Sequence, residues 1–116
     1  MILIALGANL PSQAGPPAAT LAAALASLQK RDVEIRAVSP FYRSSAWPDP
    51  NDPAFVNAVA QIGTSLQPLA LMKLLHDVET DFGRKRSAPN APRSLDIDLI
   101  DYDGRMEVGP PALPHP

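Results

Sequence analysis

The sequence contains no cysteine. A disulfide framework, a thiolate zinc site and a cysteine nucleophile are therefore excluded. No apolar run approaches the roughly 20 residues that a membrane-spanning helix requires. The opening segment, residues 1–6, also lacks the positive charges that begin a signal peptide. We therefore expect a cytoplasmic protein that has no membrane partner.

The chain is also short of net charge and of aromatic side chains. Its formal net charge is -2 at pH 7, and 5% of its residues are aromatic. Proteins that coat nucleic acid are usually strongly basic, and sheets that bind single-stranded RNA stack its bases on paired aromatic side chains. The composition therefore argues against a nucleic-acid partner and leaves the oligomeric state open.

Proline, in contrast, is abundant, with 14 among 116 residues. A chain of this length corresponds to a single domain, and 46% hydrophobic with 19% charged residues is typical of a globular one. The prolines gather between the regular segments and near residue 116, which favours long, shaped loops over disorder.

Hydrophobic periodicity and turn signals predict the order β-α-β-β-α-β. Strands are predicted at 2–6, 33–38, 41–45, 55–64 and 95–101, and helices at 17–30 and 68–82. The second and third of these strand segments are separated by Pro40 and are compatible with one bent strand, and residues 109–116 are predicted to be irregular. This order indicates an α+β fold of the ferredoxin-like type, an antiparallel sheet with two helices on one face.

The last predicted strand has an acid at every second position. Leu95, Ile97 and Leu99 would face the core, while Asp96 and Asp98 would share the opposite face. Two such carboxylates can converge on a pair of divalent ions about 3.5 to 4 Å apart. Mg²⁺ suits the arrangement because it binds one or two carboxylates and leaves its other positions to water and phosphate oxygens.

The segment before this strand is basic. Four of the ten cationic side chains fall between residues 83 and 93, namely those of Arg84, Lys85, Arg86 and Arg93. Arginine binds phosphate oxygens through its planar fork, so acids and cations side by side indicate a metal–polyphosphate site. A solvated acidic strand face beside an ordinary surface loop would show the same spacing, and the residues alone leave that alternative open.

Six short elements in a fixed order resemble those of the 6-hydroxymethyl-7,8-dihydropterin pyrophosphokinase family. They are Gly7-Ala8-Asn9-Leu10, Ser39-Pro40-Phe41-Tyr42-Arg43-Ser44, Phe55-Val56-Asn57-Ala58, Glu79 with Gly83-Arg84, Pro92-Arg93-Ser94-Leu95-Asp96-Ile97-Asp98-Leu99-Ile100, and Leu113-Pro114-His115. The resemblance covers essentially the whole chain. The Pro-Arg-x-x-Asp-x-Asp element is specific, and the ordered set is more so.

The resemblance implies transfer of pyrophosphate from ATP to the hydroxymethyl group of a reduced pterin, with AMP as the second product. It implies that Asp96 and Asp98 bind two Mg²⁺ ions and that these acids act in catalysis with Arg84 and Arg93. The residues that it places at the nucleotide are Glu79, Arg84, Arg86, Arg93 and His115. Those that it places at the pterin are Ser44, Ser45, Trp47, Phe55 and Asn57.

Two departures from the family pattern accompany the resemblance. Asn90 stands where the family often has a tryptophan, and the family normally continues beyond the position that Pro116 occupies. We therefore expect residues 1–116 to be a single pterin pyrophosphokinase domain that lacks the family's C-terminal part. The alternative is a ferredoxin-like module of impaired catalysis that binds a nucleotide or a partner through the same face.

Overall fold

A five-stranded antiparallel sheet carries two helices, as the sequence pattern predicted. The computed structural model describes residues 1–45, 50–51, 53–83, 94–108, 112–113 and 115. Within them the elements are β1 (Ile2–Ala8), α1 (Pro17–Lys30), β2 (Glu34–Val38), β3 (Tyr42–Ser44), β4 (Phe55–Gly63), α2 (Pro68–Asp81), β5 (Asp96–Tyr102), β6 (Glu107–Val108) and β7 (Ala112–Leu113). The α+β ferredoxin-like prediction is confirmed.

The strand order in the sheet is β2-β4-β1-β5, and β3 pairs with β4. The unit β1-α1-β2 therefore encloses β4, and the unit β4-α2-β5 encloses β1. Two interlocked units of this kind place β1 and β4 side by side at the centre of the sheet. The first strand thus lies between the two strands on which most of the predicted site residues are found.

One face of the sheet is apolar and is covered by the helices. Leu95, Ile97 and Leu99 are 0%, 2% and 4% exposed, which confirms the predicted core face of the last strand. The buried residues of the other strands and of the helices include Ile4, Leu6, Ala58, Ala60, Ile62, Leu21, Ala24, Leu28, Leu71, Leu75 and Val78. The alternate positions of β1, β4 and β5 consequently lie on the face away from the helices.

Each helix begins with a proline. Pro17 and Pro68 occupy the first turn, where the missing N–H would have no partner within the helix. The helix α2 ends at Asp81, and Gly83 follows with φ of +86°, a conformation that glycine adopts without strain. These starts and the glycine stop agree with the sequence prediction.

The strands β2 and β3 are two parts of one bent strand along the edge of β4. Ser39 joins them, since its N–H donates to the Val59 carbonyl at 2.8 Å and its hydroxyl oxygen accepts the Val59 N–H at 2.9 Å. Pro40 and Phe41 then stand opposite the single residue Ala58 before pairing resumes between Tyr42 and Asn57. The side chain of Ser39 thus accepts the hydrogen bond of β4 at the position directly before Pro40.

A bulge at Ile100 changes the facing of the last residues of β5. Leu99 pairs with Ile4 and Asp101 pairs with Leu3, so Ile100 is the extra residue. After the bulge Tyr102 lies in the core at 4% exposure, although simple alternation from Asp98 would place it on the other face.

The segment after β5 forms a hairpin of β6 and β7. The prediction that residues 109–116 are irregular is therefore wrong at Ala112–Leu113. No helix in the described part of the chain combines the length and hydropathy that a membrane span requires.

Candidate active site

A polar row crosses the face of the sheet that lies away from the helices. Asp96 of β5 pairs with Gly7 of β1, and Gly7 pairs on its other side with Asn57 of β4. Directly paired residues of antiparallel strands lie on the same face. Since neighbouring strands are about 4.8 Å apart, the backbones of Asp96 and Asn57 are separated by about 10 Å. We call this side of the sheet the open face.

Gly7 leaves the backbone of β1 uncovered by a side chain of its own on the open face. A Cβ atom at this position would lie 3.1 Å from Asn57 Oδ1 and 3.7 Å from Phe55 Cδ1. The first distance is shorter than ordinary van der Waals contact, so a side chain here would displace Asn57. The glycine thus lets two predicted pterin-binding side chains rest over the backbone of β1.

The side chain of Asn57 is oriented by β3. Its Nδ2 donates to Ser44 Oγ at 2.8 Å and to the carbonyl oxygen of Tyr42 at 3.4 Å. A carbonyl oxygen can only accept, so the NH₂ group must face β3. Asn57 Oδ1 therefore faces β1 and the open face, where it offers an acceptor to a ligand.

The acidic pair lies at the opposite end of the row, beside His115. Asp98 Oδ1 is 3.6 Å from His115 Nε2, and the two side chains are 40% and 38% exposed. The backbone N–H of His115 donates to the carbonyl oxygen of Ile100 at 2.9 Å. The bulge of β5 therefore helps to place the histidine next to the second acid.

The donor set fits Mg²⁺. Asp96 and Asp98 share the open face, and both are accessible enough to keep water or a substrate oxygen on an ion. Within the described ranges no three acidic, histidine or cysteine side chains form a group able to hold a metal ion. Two carboxylates would leave the other coordination positions of Mg²⁺ to water and substrate phosphates.

Glu79 lies behind the acidic pair. Its side chain is 2% exposed, and Oε2 accepts the backbone N–H of Ile97 at 2.8 Å. The predicted nucleotide contact of Glu79 stays a prediction. The buried position of Glu79 and its hydrogen bond to Ile97 favour a role in holding the backbone of β5.

Two side-chain hydrogen bonds tie the ends of strands β1 and β5 to other described segments. Asn9, 3% exposed, donates from Nδ2 to the carbonyl oxygen of Pro53 at 3.0 Å, and so ties the end of β1 to the segment before Phe55. Ser94 Oγ donates to the Phe82 carbonyl oxygen at 2.8 Å, which joins the end of α2 to the start of β5. The predicted residues Trp47, Arg84, Arg86 and Arg93 lie outside the described residues.

The structure places most of the described site residues in two groups on one face, and Glu79 lies outside that face. Phe55, Asn57 and Ser44 come together at β3 and β4, with the exposed Ser45 next in the chain. Asp96, Asp98 and His115 come together at β5. Gly7 and Asn9 belong to one of the elements that carry the family resemblance, but they were not among the predicted site residues. A glycine at the end of a predicted strand is the signal that could have pointed to a close approach of the backbone.

Comparisons with known proteins identify the family of this chain. The model of the 7,8-dihydro-6-hydroxymethylpterin-pyrophosphokinase family matches residues 3–116. A 2-amino-4-hydroxy-6-hydroxymethyldihydropteridine pyrophosphokinase of Synechocystis sp. is 35% identical over 116 residues, which cover 98% of this chain and 57% of the relative. Proteins of the same name from Pseudomonas aeruginosa and Haemophilus influenzae are 36% and 38% identical, and the matches cover 90% and 89% of this chain.

The chain spans only part of these relatives, since the aligned regions are 57%, 63% and 62% of their lengths. The family match nevertheless includes all but the first two residues of the chain. The resemblance seen in the six sequence elements is thereby confirmed. This chain belongs to the 7,8-dihydro-6-hydroxymethylpterin-pyrophosphokinase family.

Proposed function

We propose that the chain transfers pyrophosphate from ATP to the hydroxymethyl group of 6-hydroxymethyl-7,8-dihydropterin and releases AMP. The observation that carries the proposal is the row Asp96–Gly7–Asn57 across three adjacent strands. It provides acids at one end, an amide acceptor at the other and no side chain between them. A ring system bound at Asn57 can therefore present a substituent toward the acidic pair.

The pterin occupies the end of the row at β3 and β4. Phe55 supports the ring, and Asn57 Oδ1 accepts a hydrogen bond from a ring N–H or amino group, because its NH₂ group already donates to Ser44 and Tyr42. Ser44, Ser45 and Trp47 are proposed to bind the pterin beside Phe55 and Asn57. A ring whose edge carries a hydrogen-bond donor should therefore bind more tightly than a ring that lacks one.

The triphosphate occupies the end at β5. Asp96 and Asp98 would hold two Mg²⁺ ions, and the chemistry such ions would supply is neutralisation of phosphate charge. Arg84, Arg86 and Arg93 are proposed to bind the phosphate oxygens, and His115 to contact the nucleotide beside Asp98. Positioning and charge neutralisation are the main requirements of phosphoryl transfer.

In the reaction the hydroxymethyl oxygen bonds to the β-phosphorus of ATP. The bond from that phosphorus to the oxygen bridging the α and β phosphates breaks, and AMP leaves with the bridging oxygen. The hydroxyl proton must pass to a base, and Asp96 or Asp98 would help to remove it directly or through metal lowering of the hydroxyl pKa. The Asn57 amide and Phe55 orient the hydroxymethyl group while this occurs.

An AMP-release assay with ATP, Mg²⁺ and the reduced pterin tests the proposal. We expect Asp98→Asn to lower turnover about 10²-fold or more, the loss typical of removing one electrostatic stabiliser of a transition state. Asp101→Asn is the matched control, because Asp101 lies in the same strand outside the pair and binds the N–H of Gly104. Near-normal turnover in Asp98→Asn would reject the metal assignment.

Calorimetry separates this enzyme from the module of impaired catalysis. Mg²⁺-dependent binding of both a non-hydrolysable ATP analogue and the hydroxymethylpterin supports the enzyme. Nucleotide binding without pterin binding at millimolar concentration would favour the module instead.

A further inference from the structure

Glu79 is a buried acid that lies outside the open face. Among the described residues the buried polar or charged side chains are Asn9, Thr20 and Glu79. Of these only Glu79 is an acid, and burial of a carboxylate lowers stability unless hydrogen bonds offset the loss of water. A buried acid near a functional strand therefore has a structural or functional reason to be there.

A hydrogen bond joins Glu79 to the residue between the two site acids. Oε2 accepts the N–H of Ile97 at 2.8 Å, and Ile97 separates Asp96 from Asp98. This N–H points away from β1, because its hydrogen bond goes to a side chain of α2. At this position β5 has no strand partner on its outer side in the described sheet, so the carboxylate takes the place of one.

We propose that Glu79 is a positioning residue that sets the spacing and direction of Asp96 and Asp98 through the Ile97 N–H. The side chain of Ile97 is held in the core at 2% exposure. The Glu79 carboxylate holds the backbone N–H of the same residue. The two acids on either side of Ile97 are then held on the open face in the arrangement that two divalent ions need. The inference rests on the proposed function, because it concerns the same metal site.

Mn²⁺ binding measured by electron paramagnetic resonance, in the presence of a non-hydrolysable ATP analogue, tests the inference without turnover. We expect Glu79→Ala to weaken Mn²⁺ binding about tenfold or more. Glu79→Gln keeps an oxygen that can accept the Ile97 N–H, and it should restore binding to within a few-fold of the wild-type chain. Asp77→Ala is the control, since Asp77 is an exposed acid of the same helix.

Amide hydrogen exchange of Ile97 gives a second, independent measurement. We expect this amide to exchange much faster in Glu79→Ala than in the wild-type chain or in Asp77→Ala, whereas Glu79→Gln retains protection. Thermal melting shows whether each variant folds. If Glu79→Ala does not fold, Glu79→Asp gives the same comparison with a side chain shorter by one methylene.

Two results would overturn the inference. One is unchanged Mn²⁺ binding in a folded Glu79→Ala or Glu79→Asp chain. The other is an equal loss of binding in Glu79→Gln with Ile97 still protected, which would indicate a direct contact of Glu79 with the nucleotide or metal. A wild-type chain that binds neither Mn²⁺ nor the analogue would instead reject the proposed function, so the two failures are distinguishable.

Discussion

At the scale of single residues, the absence of a side chain at Gly7 shapes the open face as much as the side chains that line it. A methyl group there would lie 3.1 Å from Asn57 Oδ1. Adding a carbon atom to a packed site forces neighbouring side chains to move, which typically lowers the folding stability by about 1–3 kcal/mol. Small size at one strand position therefore sets how closely Asn57 and Phe55 approach β1.

We expect Gly7→Ala to weaken pterin binding about tenfold, in line with an overpacking cost of about 1–3 kcal/mol. The added carbon displaces the Asn57 acceptor. Pterin affinity measured by fluorescence, together with the melting temperature, checks the prediction. In an Asn57→Ala background the same substitution should have a much smaller effect, because the clashing atom is gone. An equal effect in both backgrounds would contradict this explanation.

Ser44 helps to hold the Asn57 amide in the orientation that the Tyr42 carbonyl oxygen requires. We expect Ser44→Ala to raise the KM for the pterin about fivefold with kcat nearly unchanged, since one hydrogen bond of about 1 kcal/mol no longer orients the amide. Steady-state kinetics with the pterin varied checks this prediction. Ser44→Thr keeps the hydroxyl group and should restore the KM. A loss in Ser44→Thr equal to that in Ser44→Ala would show that the hydroxyl group is not the cause.

At the scale of elements, the bent edge strand depends on a serine that replaces a backbone acceptor. Ser39 Oγ accepts the Val59 N–H at the point where Pro40 interrupts the pairing. We expect Ser39→Ala to lower the free energy of unfolding by about 1 kcal/mol, the usual net value of one hydrogen bond. Urea unfolding measures the change. Ser65→Ala, at an exposed position before α2, should leave stability within about 0.5 kcal/mol of the wild-type value.

The bulge of β5 acts on the site at the same scale. One extra residue, Ile100, turns Tyr102 into the core and leaves the Ile100 carbonyl oxygen to accept the His115 N–H. The histidine is 17 residues beyond Asp98 in the chain, yet its ring lies 3.6 Å from that acid. A strand irregularity thus connects the acidic pair with the segment after the hairpin.

At the scale of the whole molecule, an ion pair joins the first residue to the turn after β5. The α-ammonium group of Met1 lies 2.6 Å from Asp103 Oδ1. The hydrogen bond from this group holds the pKa of the Asp103 carboxyl below its usual value of 3.8. Because the pKa is lower in the folded chain, the pair stabilises the fold above the unfolded pKa, and that contribution disappears as the pH falls through the folded pKa.

We therefore expect Asp103→Asn to be less stable than the wild-type chain at neutral pH and equally stable in strongly acid solution. The difference should shrink as the pH falls below 3.8, the ordinary pKa of the group. Urea unfolding across this pH range checks the prediction, with the exposed Asp77→Asn as control. A difference that persists in acid would show that the carboxylate charge is not the source of the stabilisation.

Much of the fold and part of the site follow from the local pattern of the sequence. The two helices begin at Pro17 and Pro68 as predicted, and the alternation of Asp96 and Asp98 with buried apolar residues is confirmed, because period-two burial is a local property of a strand that has one face in the core. The β-α-β-β-α-β order and the family membership were also readable from the chain.

The contacts between distant segments were not readable in this way. The elements, their order and the acids on β5 follow from the spacing of neighbouring residues in the chain. The placement of Gly7 between Asn57 and Asp96, the hydrogen bond from Ile97 to Glu79 and the contact of His115 with Asp98 arise from the tertiary fold. Strand register, a bulge and a helix packed on a sheet edge bring these residues together, and no local pattern encodes which distant residues will meet.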